Sequence, residues 1–385
     1  MIPEDPAPRV TTDAPGKLYL LGEYAVVEPG RQAVLVAVDR RVTVQLRDLE
    51  ETGLLESPHA PDPTPVTWRH GAGGPSFSEE GQGYYRYVRA AITVVETWRA
   101  ESGLAPRHYG LRITSGLDDA VSGAKFGLGS SAAVTVAVVG TVAAAYGLDP
   151  TPEQVYRLAL MATVMVTTLT SGGDLAASAL GGWVHYASPD RQAVADMLAR
   201  DGVSRTLRAP WPGLRLEPAL PAGTPLPVRL AIGWTGTPAD TPELVGAVRR
   251  TARIPQHLLQ RSDAAVTAFR AALRAADVEA AGKAVEAARA VLAELSALRG
   301  TVIETPHLRV LCETAAAHGW AAKSSGAGGG DCGIALAARE TDPGRLGAAW
   351  SAAGIRPLDL AVAPEGLRVR RTREEEQPMS RGAAA

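Results

Sequence analysis

The chain has 385 residues, enough for two domains that each bury a core, with 46% hydrophobic residues, 21% charged residues and a formal net charge of −2. So neutral a balance excludes the basic excess of a nucleic-acid binder, and any attraction for an anionic substrate has to be local. Two cysteines, Cys312 and Cys332, are too few for a disulfide framework or a metal cluster. With no signal-peptide pattern and no membrane-spanning stretch, the expectation is a cytoplasmic protein without a membrane partner.

Only four of the 39 basic residues are lysine: Lys17, Lys125, Lys283 and Lys323. A compact ammonium and a planar guanidinium are not interchangeable, so a chain this sparing of lysine marks the places where an ammonium is needed. Three of the four lie in glycine-rich stretches. Lys283, on a polar helix face, reads as solvated surface.

In chain order, Ala14-Pro15-Gly16-Lys17 leads into a short apolar strand that leaves through Gly22, with Glu23 and Tyr24 at the turn. Lys17 on that strand is placed firmly enough to bridge phosphates, although a plain edge-strand charge is the alternative. Strands are predicted at 33–38 and 42–46, and strand ends joined by loop over 51–82. Tyr84, Tyr85, Val88, Ala91, Ile92, Val95 and Trp98 recur at helical spacing and read as core packing. Leu111 to Thr114 is a strand that leads to the stretch around which the chain is organised.

That stretch is Lys125-Phe126-Gly127-Leu128-Gly129-Ser130-Ser131-Ala132-Ala133, followed by a helix with no charged residue from Ser130 to Tyr146. Two glycines allow close approach of backbone, two hydroxyls follow, and the free N–H groups of a helix begin where the glycines stop, which suits an anion. A tightly packed core helix with Ser130 as N-cap is the plainer reading. Gly127-x-Gly129-x-x-Ala132 fits a dinucleotide fingerprint formally, but the preceding Asp118 to Ala124 reads as loop rather than buried strand, and Asp149 lies in a turn. A Walker loop is excluded because no Gly-Lys-Ser/Thr occurs.

Gly147 stops the helix. Thr151-Pro152-Glu153-Gln154 opens the next one with a capping box. It ends near Ser171-Gly172-Gly173-Asp174, where Asp174 is an acid at the start of a short helix, either a cap or a functional carboxylate. Trp183 to Ala187 is a strand in which His185 is a sheet residue. Proline-rich sequence over 205–227 places a domain boundary there. A strand at 228–234, helices near 242–251, 256–275, 278–298 and 306–318, and a strand at 334–337 follow. Between the last two, Lys323-Ser324-Ser325-Gly326-Ala327-Gly328-Gly329-Gly330-Asp331-Cys332-Gly333 is too confined between apolar segments to be a linker. From Arg370 the tail reads as disordered.

Taken together, Pro15-Gly16-Lys17 through Gly22-Glu23-Tyr24, Gly127 through Ala132, and Ser325 through Gly330 resemble, in order, the three motifs of the GHMP small-molecule kinases. Lys125-Phe126, Ser171-Gly172-Gly173-Asp174 with Gly181-Gly182-Trp183, Gly233-Trp234-Thr235-Gly236 and Asp331-Cys332-Gly333 resemble the phosphomevalonate kinase branch. The resemblance implies an α+β two-domain fold: an N-terminal mixed sheet with helices over 1–212, a C-terminal ferredoxin-like α/β sandwich over 213–371, and a disordered tail at 372–385. It implies ATP with Mg²⁺, and transfer to (R)-5-phosphomevalonate giving 5-diphosphomevalonate and ADP in isoprenoid synthesis, by a monomer or homodimer.

By the same likeness Lys17 and Asp174 are the catalytic pair, with Lys17 spanning the transferring group and Asp174. Lys125, Gly127, Leu128, Gly129, Ser130, Ser131 and Ala132 hold ATP, and Ser130 also the metal. Lys17, Glu23, Tyr24, Ser171, Gly172, Gly173, Asp174, Ser325, Gly326, Ala327 and Gly328 face the acceptor. One segment departs from the branch: Val166-Thr167-Thr168-Leu169-Thr170 stands where another glycine and an upstream polar or basic residue are usual. That leaves mevalonate kinase, another GHMP alcohol kinase, or a non-catalytic ATP-binding relative as alternatives.

Overall fold

The computed structural model describes residues 9–71, 73–119, 123–221, 223–236 and 253–372. Strand β1 (Val10–Leu21) is buried along almost its whole length, as a strand covered on both faces must be. It pairs antiparallel with β2 (Gln32–Leu49), one continuous strand where the sequence suggests two. The burial of β2 changes from unbroken to alternating at Asp39-Arg40-Arg41, because its later half meets solvent on one face. Over 51–82, read as strand ends joined by loop, three distinct strands form: β3 (Gly53–Glu56), β4 (Val66–Gly71) and β5 (Gly74–Phe77).

The later half of β2 pairs with β6 (His108–Ser115) and its early half with β7 (Trp183–Ala187), to which β8 (Arg215–Pro218) is added. β3 runs parallel to β6 while the other pairs are antiparallel, so this nine-stranded sheet is mixed. A second sheet is wholly antiparallel. Its strands β9 (Val228–Trp234), β10 (Ala321–Ser324), β11 (Cys332–Ala338) and β12 (Arg356–Leu358) lie in the order β10-β11-β9-β12, a ferredoxin-like arrangement. Finally β13 (Arg368–Arg371) returns to pair with β1. β8 and β13 therefore belong to the first sheet although both lie beyond residue 212.

Helices α1 (Arg86–Glu101), α2 (Ser130–Ala145), α3 (Pro152–Val166) and α4 (Gly173–Leu180) pack together beside the first sheet. α2 is enclosed by α1, α3, α4, β1 and β2, which is why it carries no charge. The capping box at Thr151 forms as expected: Thr151 Oγ1 accepts from Gln154 N–H, and Gln154 Oε1 accepts from Thr151 N–H. The sequence reading misses α5 (Arg191–Arg208), capped by Asp190 and kinked at Gly202, where the Glu101 carboxylate accepts from the N–H groups of Val203 and Ser204. The helix therefore runs a few residues into the proline-rich stretch from 205 that is read as holding the domain boundary.

α6 (Gln256–Ala275), α7 (Val278–Arg299), α8 (Pro306–Ala317) and α9 (Pro343–Ala352) complete the described helices, and the helix expected at 242–251 lies outside the described residues. Arg370 and Arg371 are paired strand rather than the start of a disordered tail, and Thr372 N–H donates to Arg9 C=O. The remainder of that expected tail, 373–385, also lies outside the described residues. No described helix is long and apolar enough to cross a membrane.

Candidate active site

The site begins where β1 passes under the central glycine loop. Lys17 N–H donates to Leu128 C=O at 2.9 Å, and a Cβ on Gly16 would sit 2.9 Å from that carbonyl oxygen and 2.7 Å from Leu117 Cδ2. The Gly-Lys pair is thus a close backbone contact followed by a functional side chain. Lys17 is only 7% exposed and its ammonium donates to Gly127 C=O at 3.2 Å.

Gly129, at φ +80°, is the N-cap of α2, which corrects the reading of Ser130 as cap; Ser130 is the first helical residue. A Cβ at Gly129 would lie 2.9 Å from Lys17 Cε and 3.6 Å from Asp174 Cβ. Only a residue without a side chain allows the two to flank the loop so closely. Ala132 and Ala133 N–H both donate to Gly129 C=O, leaving the earlier N–H groups of the helix start for a ligand. Asp174 is in the first turn of α4, whose dipole favours a negative charge there.

Lys17 and Asp174 therefore meet across Gly129, 157 residues of sequence notwithstanding, but no ion pair joins them among the described residues. The space between them is where a transferring group can enter.

The third glycine-rich stretch is fastened to both other segments. Ser325 Oγ accepts from Tyr19 N–H and donates to Tyr19 C=O, both at 2.9 Å. Tyr24 OH donates to Ala327 C=O, and Cys332 Sγ donates to Phe126 C=O at 3.1 Å. Asp331 has φ +54°, its carbonyl accepts from Thr235 N–H and Oγ1–H, and a Cβ on Gly127 would fall 2.4 Å from its carboxylate.

Two connected hollows result. The larger, about 710 Å³, contains the α2 start with Ser130, Ser131 and Ala132, together with Lys125, Leu128, Leu117 and Asp118. The smaller, about 330 Å³, is lined by Tyr19, Glu23, Tyr24, Val26, Val27, Val166, Thr167, Leu169, Ser171, Ser325, Gly326 and Ala327. Lys17, Arg86, Tyr87, Gly127, Thr170, Asp174 and Asp331 line both, so they form the passage between them.

Gly172, Gly173 and Gly328 stand behind the walls: added Cβ atoms would meet Tyr186 OH at 3.0 Å, Tyr19 OH at 2.5 Å and Ile303 C=O at 2.2 Å. Glu23 lines the smaller hollow but is bound by Lys323, whose ammonium is fully buried and also donates to Ser324 C=O at 2.6 Å. The third glycine-stretch lysine is thus committed to a buried pair, while Lys125 is exposed at the mouth of the larger hollow. Burial and, after it, the nearby Asp174 carboxylate push the Tyr19 hydroxyl far above its usual range, so it stays protonated and hydrogen-bonds with Ser171 Oγ at 2.8 Å.

Sequence reading does not single out Arg86, Tyr87 or Arg191. Arg191 is buried and donates to Thr168 C=O and Pro189 C=O, both at 3.1 Å, to Ser188 Oγ and to Val27 C=O, tying two walls of the smaller hollow together. Its helix lacks a clear apolar stripe, so no local pattern could find it. Arg86 did leave a signal: it is a cation at a helix start, where the dipole disfavours it.

Mg²⁺ prefers oxygen donors, and it usually keeps water and uses one or two carboxylates plus substrate phosphates. The described residues contain no cluster of three or more His, Cys, Asp or Glu side chains suited to a metal, but Ser130 and Asp174 supply a hydroxyl and a carboxylate beside the same hollow. That donor set fits a metal carried in by a nucleotide.

Comparison with known proteins agrees with this architecture. Residues 86–182 match the GHMP kinases N terminal domain and residues 269–356 the GHMP kinases C terminal domain. The chain is 42% identical over 372 residues to a phosphomevalonate kinase of Streptomyces sp. (strain CL190), covering 93% of this chain and 98% of that one. It is 28% identical over 394 residues to a mevalonate kinase of Thermococcus gammatolerans, covering 94% and 98%. Among solved structures, Streptococcus pneumoniae phosphomevalonate kinase in complex with phosphomevalonate and AMPPNP superposes with a TM-score of 0.81 at 30% identity, covering 91% of this chain and 99% of that one. The chain belongs to the GHMP kinases.

Proposed function

We infer that this chain is a phosphomevalonate kinase, transferring the terminal phosphoryl group of Mg-ATP to (R)-5-phosphomevalonate to give 5-diphosphomevalonate and ADP. The observation that carries the reading is the 42% identity to a phosphomevalonate kinase across 93% of the chain. The geometry supports it with two hollows that share one polar passage.

In this reading the triphosphate lies at the α2 start, held by the backbone of Gly127, Leu128 and Gly129, by Ser130, Ser131 and Ala132, and by Lys125 at the mouth. Ser130 and Asp174 hold the metal, which supplies charge neutralisation on the phosphates. The acceptor occupies the smaller hollow, bounded by Tyr24, Ser171, Ser325, Gly326 and Ala327, with Glu23, Gly172, Gly173 and Gly328 shaping its walls. Lys17 holds oxygens of the transferring group in the passage.

The acceptor nucleophile is a phosphate oxygen, already anionic near neutral pH because its second pKa is about 6. No proton has to be removed from it, so Asp174 orients the ammonium and the metal rather than serving as a base. Transfer of this kind asks for position and charge, which this passage offers. The enzyme acts as a monomer or homodimer, in the cytoplasm, where Cys312 and Cys332 remain free thiols. A division near residue 212, across which β8 and β13 return to the first sheet, separates a unit bearing the ATP loop from one bearing the closing glycine loop.

The test is a parallel product assay by phosphorus NMR with Mg-ATP and either phosphomevalonate or mevalonate. The expected outcome is a new diphosphate signal and ADP with phosphomevalonate alone. Turnover of mevalonate with phosphomevalonate untouched would replace this reading by an alcohol kinase, and acceptor-independent silence by a non-catalytic nucleotide binder.

A further inference from the structure

We propose that Arg86 is a further catalytic residue, a second cation of the passage that grips the acceptor's phosphate and so favours an acceptor that is already phosphorylated. The proposal rests on the kinase reading above. It starts from a charge count around the passage. Asp174 brings a carboxylate there that is committed to the metal in that reading, while Glu23 nearby is neutralised by Lys323. Among the described residues, Lys17 and Arg86 are the cations that line both hollows; Lys125 lines the larger one only.

A phosphate acceptor adds a charge of about −1.5 to −2 to a site that already has to hold a triphosphate. An alcohol acceptor adds none. Lys17 already has the transferring group to hold, so an incoming dianion leaves a deficit of positive charge, and the guanidinium at residue 86 is the group placed to reduce it. Its planar fork suits two oxygens of one phosphate at once.

Three independent features of Arg86 agree. No carboxylate lies within ion-pairing distance of it among the described residues, and its guanidinium rests over the Tyr87 ring, 5.1 Å from the centroid. It is the first residue of α1, with no acid in that helix's first turn, so the positive end of the dipole repels it. A bound anion would relieve that repulsion. Tyr87, which carries it, is close enough to Asp174 to feel its charge: burial raises the Tyr87 hydroxyl, Arg86 lowers it and Asp174 raises it again.

In the transfer itself, an acceptor phosphate oxygen gives an electron pair to the terminal phosphorus of ATP. The bond from that phosphorus to the bridging oxygen breaks, and its pair departs on ADP. No proton moves, and Arg86 holds non-bridging oxygens of the acceptor throughout.

Arg86→Gln and Arg86→Lys test this, with steady-state kinetics for phosphomevalonate, calorimetric titration of phosphomevalonate and of ATP separately, and thermal melting. Arg86→Gln is expected to lower kcat/KM for phosphomevalonate by about 10²-fold, the scale of one lost electrostatic stabiliser. Arg86→Lys should recover part of that loss, the affinity for ATP alone should stay within about threefold, and the melting temperature should not move, because the side chain is exposed. Arg86→Gln with kcat/KM within about threefold of the parent, or a loss confined to ATP affinity, overturns the proposal. If the parent protein does not turn over phosphomevalonate, the kinase reading falls instead; the calorimetric arm then still decides Arg86, since unchanged phosphomevalonate affinity in Arg86→Gln overturns it.

Discussion

The two sides of the passage are built differently. In the proposed reading the nucleotide side is centred on one contiguous stretch of backbone, Gly127 through Ala132, set at the start of a helix enclosed by the core, with other segments completing the hollow. The acceptor side is assembled from four separate segments, near residues 23–27, at the start of α1 (86–87), at 166–171 and at 325–327. Short-range bonds such as Val26 N–H to Gly22 C=O and Leu169 N–H to Thr167 Oγ1 shape these segments but do not fix them to one another. Long-range polar bonds do: Arg191 to Val27 and Thr168, Tyr24 to Ala327, Lys323 to Glu23, and Ser325 to Tyr19. A ligand common to many kinases is thus met by rigid backbone, and the ligand that varies is met by side chains that can be exchanged without disturbing the core.

If that division holds, substitutions in the passage should reduce turnover, substitutions in the acceptor fastenings should raise the acceptor KM, and neither should greatly affect ATP binding. The largest effect is expected from Lys17→Met, a fall in kcat of about 10²–10³ with ATP affinity little changed, measured by single-turnover quench beside nucleotide titration. Asp174→Asn comes next. As an orienting group it should cost about tenfold, less than the 10²–10⁴ of a lost general base. A loss equal to that of Lys17→Met that is relieved at raised pH would make Asp174 a base after all.

Arg191→Met should raise the acceptor KM several-fold while lowering stability by about 2–4 kcal/mol, since several bonds from a buried cation are lost at once. Denaturant melts and a KM comparison for the two substrates check this, and an equal rise in both KM values would erase the contrast between the two sides. The smallest effect belongs to Thr170→Val. The Thr170 Oγ1 atom is buried and has no hydrogen-bond partner among the described residues, so removing it should raise stability by about 1 kcal/mol. Because Thr170 also faces the passage, the same change should weaken the acceptor slightly, which acceptor titration would detect.

The contrast also explains what could be read from sequence. A ligand site made of consecutive backbone groups leaves a consecutive motif, and the charge-free helix behind Gly129 declares its own burial. Lys17 and Asp174 were legible because each sits beside glycines that permit a close approach. Tyr87 and Arg191 were not, because their neighbours in space are far away in sequence, and Arg86 left only the faint signal of a cation at a helix start. The same limit applied to secondary structure. β3 to β5 have too many prolines and glycines nearby to look like strands, yet the ladder to β6 holds them. β13 looks like the beginning of a charged tail because its side chains are all exposed, while its backbone completes the edge of β1. Lys323 was rightly marked as unusual, but its partner is Glu23 rather than a phosphate, and only the fold could distinguish these.

The central claim is that the residues shared by the two hollows mark the place where the phosphoryl group crosses. Its most direct test is a crystal structure of this protein with phosphomevalonate and a non-hydrolysable ATP analogue. The account predicts the triphosphate at the start of α2 and the acceptor phosphate facing it across the passage, with Lys17 and Asp174 on either side of the gap. A triphosphate bound away from Gly127 to Ala132, or an acceptor phosphate turned away from Lys17, would contradict it.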